Sequence, residues 1–386
     1  MFDAGAFIRF VRGLYGQPEG VVPLHAPVMG QMEKAKLAEA VDSTYVSSVG
    51  AFVNRFEEAV ATFVGARHAV ATVNGTAALH VALRIAGVQP GDRVVTQALT
   101  FVATANAIAY CGAEPVFVDV EEETLGMDPL ALQTWLRRHA TVRQGVCIER
   151  ASGRPVRACV PMHTLGHPAR IEAIAEVCAE WSLVLVEDAA EALGSRRNGR
   201  QAGTVGRLGV FSFNGNKIIT TGGGGIIITD DEALARRARH LTTTAKRPHA
   251  WAFEHDELGY NYRLPNLNAA FGVAQMERLP ALLASKREVA QAYAQAARHH
   301  GWHFVQEPAG ARSNYWLNAL RLPDVAAREA FLQATNAAGV MTRPLWTPMH
   351  RLPMYAGCGR DALAVTEWLA DTVVNVPSSP LPGAGE

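Results

Sequence analysis

Residues 211–225 read FSFNGNKIITTGGGG, a polar and glycine-rich stretch with short apolar flanks. Lys217 lies in its middle, with apolar residues on both sides and four consecutive glycines after it. This combination favours a closely packed backbone around a partly desolvated amine over a lysine in a flexible surface loop. Desolvation disfavours the charged form of an amine and makes it a better nucleophile.

A second informative stretch lies upstream, where residues 183–191 read LVLVEDAAE. The apolar run ends at Asp188, which by itself is most simply a helix N-cap. A strand that ends in Asp, followed by a Lys in a glycine-rich loop, is nevertheless the arrangement that pyridoxal phosphate requires. The lysine bonds to the cofactor aldehyde, and the carboxylate keeps the pyridine nitrogen protonated so that the ring accepts electrons. Glu191, about one helical turn later, would contact the ring hydroxyl or a substrate amine, or point to solvent.

Other segments supply candidate contacts to the cofactor. Residues 73–83 read VNGTAALHVAL, in which Gly75 and Thr76 open a helix whose free N–H groups suit a phosphate, although an ordinary turn explains them as well. Ser212 lies close enough to Lys217 in the chain to reach the same phosphate. Phe101 follows a predicted strand and would stack on a planar ring or belong to the core.

Two later segments are candidates for binding substrate. Residues 259–270 read GYNYRLPNLNAA, where Arg263 would bind an anion or brace the turn, and residues 342–355 read TRPLWTPMHRLPMY. The second segment predicts either a polar and aromatic wall suited to a sugar or nucleotide, or a proline-rich surface loop. The candidate substrate residues are Arg263, Arg343, Trp346 and His350.

The composition limits the classes of protein to which the chain can belong. The chain has 386 residues and a formal net charge of zero, which predicts neither nucleic-acid nor anionic-membrane binding. The N-terminal residues predict a short amphipathic helix rather than a signal peptide. The five cysteines are scattered without a C-x-x-C pair, so we expect no zinc or other metal and reduced thiols in the cytoplasm.

Strand and helix patterns alternate up to about residue 230, which predicts an α/β fold with a mostly parallel sheet covered by helices on both faces. Ligands bind at the carboxyl ends of such strands. His163 also follows a strand, and we interpret it as a structural histidine in preference to a general base. The predicted strands are residues 68–73, 93–96, 115–120, 158–162, 183–186, 210–213 and 225–229.

The pattern changes after about residue 246, where helices at 267–283, 285–299, 326–338 and 362–370 surround a strand at 315–322. We therefore predict a helical N-terminal extension at residues 1–22, a large cofactor-binding domain at 23–246 and a smaller α+β domain at 247–386.

Taken together, the segments resemble the DegT/DnrJ-type sugar aminotransferases, of pyridoxal phosphate fold type I. The likeness extends from about residue 23 to residue 355, and several ordered blocks are more specific than any single one. The matching blocks are NGTAALH at 74–80, TFVATAN at 100–106, EDAAE at 187–191, the stretch from 211 to the glycines at 222–225, and GYNYR at 259–263.

The resemblance implies that Lys217 bonds to the cofactor and that Asp188 pairs with its pyridine nitrogen. It also implies that Gly75, Thr76 and Ser212 hold the phosphate and that Phe101 stacks on the ring. Asn261 would reach the phosphate of the neighbouring subunit, which implies a homodimer with shared sites. The chain departs from the commoner pattern at Glu191, where Gln is frequent, and at Gly223, where Glu is frequent.

We therefore predict an aminotransferase that moves the amino group of glutamate to a nucleotide-linked keto sugar. The resemblance favours UDP-4-keto-6-deoxy-N-acetylhexosamine, aminated at carbon 4. A sugar dehydratase, a lyase, and a non-catalytic regulator that senses cofactor or sugar are the alternatives. Lys217 argues against the dehydratases that carry His at its position. A nicotinamide-dependent dehydrogenase is disfavoured because no G-x-G-x-x-G opens a helix after the first strand.

Overall fold

The computed structural model describes residues 2–384, in which the chain forms eleven α-helices and sixteen β-strands. The helices are α1 (Ala4–Leu14), α2 (Gln31–Asp42), α3 (Ala51–Val64), α4 (Gly75–Ile85), α5 (Val102–Tyr110), α6 (Pro129–His139), α7 (Ile171–Glu180), α8 (Glu232–Thr242), α9 (Asn266–His300), α10 (Val325–Ala337) and α11 (Ala364–Thr372). The strands are β1 (His68–Thr72), β2 (Arg93–Gln97), β3 (Glu114–Val118), β4 (Ala140–Arg143), β5 (Val146–Glu149), β6 (Val156–Val160), β7 (Val184–Asp188), β8 (Arg196–Arg197), β9 (Arg200–Gln201), β10 (Leu208–Ser212), β11 (Gly225–Thr229), β12 (His303–Phe304), β13 (Ala311–Arg312), β14 (Asn318–Arg321), β15 (Arg343–Pro344) and β16 (Val373–Val376).

The centre of the molecule is a seven-stranded sheet in the order β1-β11-β10-β7-β6-β2-β3. Strand β11 is antiparallel to both of its neighbours, and the other adjacent pairs are parallel. The strands are almost wholly buried, as expected for a sheet covered on both faces. The predicted fold class is confirmed, and the predicted strands are the members of this sheet.

The predicted cofactor-binding residues lie together at one edge of this sheet. Strands β1, β7 and β10 run in the same direction, so their carboxyl ends meet at this edge. The reversed strand β11 begins there with Gly225, which pairs with both Thr72 and Ser212. A Cβ atom at Gly225 would overlap the backbone of Asn74. The last glycine of the run therefore allows the start of α4 to approach the sheet.

Helix α9 differs from the prediction of two helices at 267–283 and 285–299. It is continuous over 35 residues and contains Pro280. Its first half packs against α2 and α3, and its second half contacts α1 and β12. Only Ala284 separates the two predicted helices. Alanine is a strong helix former, so nothing at that position ends the helix.

The small C-terminal sheet has the order β12-β14-β16-β15 and is antiparallel. The N-terminal helix α1 packs into the same core, where Phe7 contacts the rings of Tyr293, Trp302 and Phe331. The predicted boundaries at residues 22 and 246 remain predictions. The packing shows that the two ends of the chain share one core.

The sequence predicted one strand of the small sheet, at 315–322, and the pairings of β12, β15 and β16 there were not predicted. Three further pairings outside the two larger sheets were also not predicted. They are the hairpin of β4 with β5, the short pair of β8 with β9, and the pairing of β13 with β8. Among residues 2–384, no helix has both the length and the apolar character needed to cross a membrane.

Truncation of Phe7 tests whether α1 belongs to the C-terminal core. Phe7 is fully buried, and its ring centroid lies 4.9 Å from that of Phe331. We expect Phe7→Ala to lower the free energy of unfolding by about 3–5 kcal/mol, since it leaves a cavity among aromatic rings. Urea unfolding followed by circular dichroism measures the change. Arg9→Ala, on the exposed side of the same helix, is the control, and equal effects of the two changes would refute a core role for α1.

Candidate active site

A cavity of about 340 Å³ opens at the carboxyl edge of the large sheet. Its wall combines residues from α4, α5, β7, β10 and the loop after β10, with two tryptophans from the C-terminal part of the chain. The predicted residues that line it are Gly75, Thr76, Phe101, Asp188, Glu191, Ser212, Lys217 and Trp346.

Asp188 lies at the end of β7 and is nearly fully buried. The Thr104 hydroxyl donates to its Oδ2 at 2.7 Å, and the Ala190 N–H donates to its Oδ1 at 3.2 Å. Burial raises the pKa of Asp188, and these hydrogen bonds and the Lys217 charge oppose the rise. A cationic ring above this carboxylate would favour its ionised form.

The adjacent residue Glu187 faces away from the cavity and fixes the strand end. The Ala169 N–H donates to Nδ1 of His163, so Nε2 carries the proton and donates to Glu187 Oε2 at 2.9 Å. Burial acts to raise the pKa of Glu187, but hydrogen bonds from His163, Gly206 and Gly203 hold it below its ordinary value. His163 is thus a buried, hydrogen-bonded residue, and its ring supports the strand that carries Asp188.

The other end of the cavity is suited to an anion. Asn74 caps α4 by accepting a hydrogen bond from the Ala77 N–H at 2.7 Å. The N–H groups of Gly75 and Thr76 lie in the first turn, where helix geometry provides no acceptor and the helix dipole is positive. A Cβ atom at Gly75 would lie 3.0 Å from Ser212 Cβ, so glycine keeps open the space between the helix and the strand end.

The Lys217 amine belongs to the same cavity. Its Nζ donates to Glu191 Oε1 at 3.2 Å and lies 3.8 Å from the centre of the Trp316 ring. Only 13% of the Lys217 side chain is exposed. The amine therefore sits in a protected position, within reach of a group bound over Asp188.

Glu191 is buried and accepts a second hydrogen bond from the Leu165 N–H at 2.9 Å. Burial raises the pKa of Glu191 to about 7, although the Lys217 charge and the Leu165 N–H act in the opposite direction. Its carboxyl group can thus be neutral or charged near neutral pH. A glutamine would have only the neutral form.

Two aromatic residues form the mouth of the cavity. Phe101 stands directly before α5, and its ring centroid lies 6.3 Å from that of Trp346 in an edge-to-face arrangement. Both rings line the cavity. Aromatic side chains bind planar groups and the apolar faces of sugars by contact with the ring face.

Arg263 does not lie in the cavity wall among the described residues. Its Nη1 donates to Glu57 Oε1 at 2.6 Å and to the Ala71 carbonyl at 3.0 Å. The Ala71 N–H donates to the same carboxylate at 2.8 Å. Because β1 is the edge strand of the sheet, its free backbone groups need such partners. The placement corrects the prediction of a substrate-binding arginine and matches the bracing role.

Arg343 and His350 also lie outside the cavity wall that residues 2–384 form. Arg343 is exposed and donates to Asn336 Oδ1 and to the Thr342 carbonyl, both at 2.9 Å. His350 forms a hydrogen bond with Glu367. Of this proline-rich segment, all of which the structure describes, only Trp346 lines the cavity. The substrate roles of Arg343 and His350 remain predictions.

Asn261 is exposed and lies outside the wall as well, within the part of the chain that the structure describes. Its neighbours Tyr260 and Tyr262 stack on each other at 5.0 Å and pack against His80 on α4. Since side chains alternate along an extended segment, Asn261 points in the opposite direction, toward solvent or a partner.

Sequence reasoning did not identify Thr104 or Trp316. Thr104 follows Phe101 by about one helical turn, so helical spacing within TFVATAN provided a signal for it. Trp316 lies far along the chain in SNYWLNAL, and we find no local signal that connects it to Lys217.

The cavity fits pyridoxal phosphate in the chemistry of its donors. It has a buried carboxylate for the pyridine nitrogen, an amine for the aldehyde, and a helix N-terminus with a glycine cradle for the phosphate. An aromatic ring stands at the mouth for the ring face.

Replacement of Glu191 tests its elevated pKa in the apoprotein. The folded protein keeps this proton to about pH 7 and the unfolded chain releases it near pH 4.5, so rising pH across this window destabilises the fold. We expect the stability of the wild type to fall relative to Glu191→Gln by about 3 kcal/mol across the window. Thermal unfolding of both proteins at several pH values measures the difference in stability. A difference that does not change with pH would contradict the raised pKa of Glu191.

Comparison with known proteins supports this interpretation of the cavity. Residues 27–383 match the DegT/DnrJ/EryC1/StrS aminotransferase family. EpsN of Bacillus subtilis (strain 168), whose assigned name is that of a pyridoxal phosphate-dependent aminotransferase, is 39% identical over 333 residues, which cover 86% of this chain and 83% of EpsN.

Two further proteins are similar over nearly the whole length. GDP-perosamine synthase of Caulobacter vibrioides is 35% identical, with 92% of this chain and 93% of that protein covered. The crystal structure of the aminotransferase TlmJ from Streptoalloteichus hindustanus has a TM-score of 0.84 at 31% identity and covers 93% of this chain and 94% of that one. The resemblance predicted from the sequence is thereby confirmed: the chain belongs to the DegT/DnrJ/EryC1/StrS aminotransferase family, and it is a pyridoxal phosphate-dependent aminotransferase.

Proposed function

We propose that this enzyme transfers the amino group of glutamate to a nucleotide-linked keto sugar. The observation that carries the proposal is the Lys217 amine, held in one cavity with the buried carboxylate of Asp188 and with an aromatic mouth. The name of the Caulobacter relative, GDP-perosamine synthase, supports a nucleotide sugar as substrate. For the sugar itself we propose UDP-4-keto-6-deoxy-N-acetylhexosamine, aminated at carbon 4.

Bound pyridoxal phosphate supplies the electron sink that stabilises negative charge on the substrate carbon. In this proposal Lys217 Nζ attaches the cofactor and, once displaced, moves the proton of the substrate carbon. Asp188 holds the pyridine nitrogen protonated. Glu191, whose carboxylate lies beside the Lys217 amine, contacts the ring hydroxyl or the substrate amine.

The proposal assigns the phosphate to the N–H groups of Gly75 and Thr76 and to the Ser212 hydroxyl, and assigns one face of the ring to Phe101. Trp346 remains the substrate residue that the geometry favours, since it lines the mouth beside Phe101. The apolar face of a sugar ring would lie against its indole.

We also propose a homodimer with shared sites, in which Asn261 of one protomer reaches the phosphate in the site of the other. Asn261 points away from its own subunit, and the loop before it carries apolar side chains in solvent. Trp251, Phe253 and Leu258 are 83%, 80% and 82% exposed. Clustered apolar exposure of this kind is typical of a protein interface.

Replacement of Lys217 and Asp188 tests the central assignment. We expect Lys217→Ala to abolish turnover, because both the attachment and the proton transfer depend on one amine. We expect Asp188→Ala to slow the half-reaction with glutamate, because the ring loses the partner of its protonated nitrogen. Stopped-flow absorbance of the bound cofactor after addition of glutamate measures both. Lys34→Ala, at an exposed lysine, is the control, and a normal rate in Lys217→Ala would reject the mechanism.

Product analysis separates this proposal from a dehydratase or lyase. An aminotransferase forms one 2-oxoglutarate for each amino sugar, whereas a dehydratase or lyase forms no amino sugar. Parallel assays with the UDP-linked and GDP-linked keto sugars decide the nucleotide.

A mixing experiment tests the shared sites. Inactive Lys217→Ala chains and Asn261→Ala chains are combined under conditions that exchange subunits. A hybrid dimer then contains one site with both wild-type residues, so we expect activity at limiting cofactor to exceed the sum of the two parents. If Asn261 served its own subunit, mixing would add nothing, and sedimentation equilibrium would establish whether the dimer forms.

A further inference from the structure

The Lys217 amine has partners on two sides, and one of them comes from the C-terminal unit. Glu191 follows strand β7 of the large sheet, whereas Trp316 precedes strand β14 of the small one. We propose that Glu191 and Trp316 together form a binding site for the Lys217 ammonium group during the half of the cycle in which the lysine is not attached to the cofactor. Trp316 is then a positioning residue that acts through Lys217, and this inference rests on the proposed role of Lys217.

Both contacts favour a cation at this point. The Glu191 carboxylate lies 3.2 Å from Nζ, and the Trp316 ring centre lies 3.8 Å from Nζ. A cation over the face of an indole ring is attracted by the ring quadrupole, most strongly where water is excluded. A lysine released within the cavity would therefore be held close to the reacting atoms.

One asparagine fixes the two partners relative to each other. The side-chain amide of Asn314 donates to the Glu191 carbonyl at 2.8 Å, while its Oδ1 accepts from the Trp316 N–H at 2.8 Å. The Asn314 N–H also donates to Ser195 Oγ at 2.9 Å. Because these groups are buried, each hydrogen bond would be costly to lose, and the distance between carboxylate and indole is set by the fold.

The orientation of the indole is fixed as well. Trp316 Nε1 donates to the carbonyl of Asn216, the residue before Lys217, at 2.6 Å. Lys286, fully buried on α9, donates to the Trp316 carbonyl at 2.8 Å. The indole ring is thus held by the lysine loop, and the backbone of Trp316 is held by α9.

A second tryptophan provides a matched control. The Arg321 guanidinium lies 4.5 Å from the ring centre of Trp368, in the same C-terminal unit but at its surface. Loss of that contact removes a cation–π pair without touching the cavity wall that the described residues form.

The test measures the reactivity of Lys217 in the apoprotein. Only the uncharged amine reacts with acetic anhydride, so loss of a contact that favours the ammonium form accelerates acetylation at a given pH. We expect Trp316→Leu to accelerate modification of Lys217 by about 2- to 30-fold, and Trp316→Phe to have a smaller effect. Glu191→Gln should also accelerate it without changing the shape of the cavity. Peptide mass spectrometry quantifies Lys217 against the exposed Lys34 in the same chain.

Accessibility is separated from charge by the pH profile. An effect on the charge of the amine disappears at strongly alkaline pH, where the amine is uncharged in every variant. An effect of wider access persists there. Trp368→Leu should match the wild type throughout, and thermal unfolding of each variant verifies that it is folded.

The inference is overturned if the folded Trp316→Leu and Trp316→Phe variants modify Lys217 at the wild-type rate, or if their acceleration persists at alkaline pH. Borohydride reduction of the wild-type holoenzyme keeps the two proposals distinct. Trapping of the cofactor on Lys217 with unchanged acetylation rates rejects only the ammonium site. Trapping elsewhere rejects the proposed role of Lys217 itself.

Discussion

The buried carboxylate of Asp188 at the end of β7 is the constraint around which the site is built. Burial penalises its charge, and the hydrogen bonds from Thr104 and Ala190 offset only part of that penalty. A cation over the carboxylate would relieve the remaining penalty, and in our proposal the protonated ring of the cofactor is that cation. The adjacent Glu187 carboxylate already has its hydrogen-bond partner, His163, within the protein. Of these two neighbouring acids, Glu187 therefore supports the strand, and Asp188 is left to face the cavity.

The same edge brings a helix N-terminus suited to an anion and the Lys217 amine into one cavity with this carboxylate. A parallel sheet places its strand ends together, and the first turn of α4 adds unpaired N–H groups at that edge. Gly75 and Gly225 are needed there because side chains would fill the space between helix and strands. The backbone thus places a helix N-terminus next to the strand ends that carry Asp188 and Ser212.

The C-terminal part of the chain contributes side chains to the site. Trp316 contacts the Lys217 amine, and Asn314 contacts the Glu191 backbone. Helix α9 is continuous and contacts α2 and α3 as well as α1 and β12. The N-terminal helix α1 belongs to the same core, with Phe7 among its aromatic rings.

The sequence alone determined that the sheet is mostly parallel, where its strands lie and which residues follow their carboxyl ends. Burial on both faces leaves apolar runs, and the polar candidate residues come directly after them. Tertiary structure decided the roles of residues whose partners are distant in the chain. Arg263 was available for an anion by sequence, but the open backbone of edge strand β1 and the Glu57 carboxylate hold it elsewhere. Trp316 had no local signal, because its meeting with Lys217 depends on how the two units pack, and packing between distant segments is not encoded in the periodicity of either one.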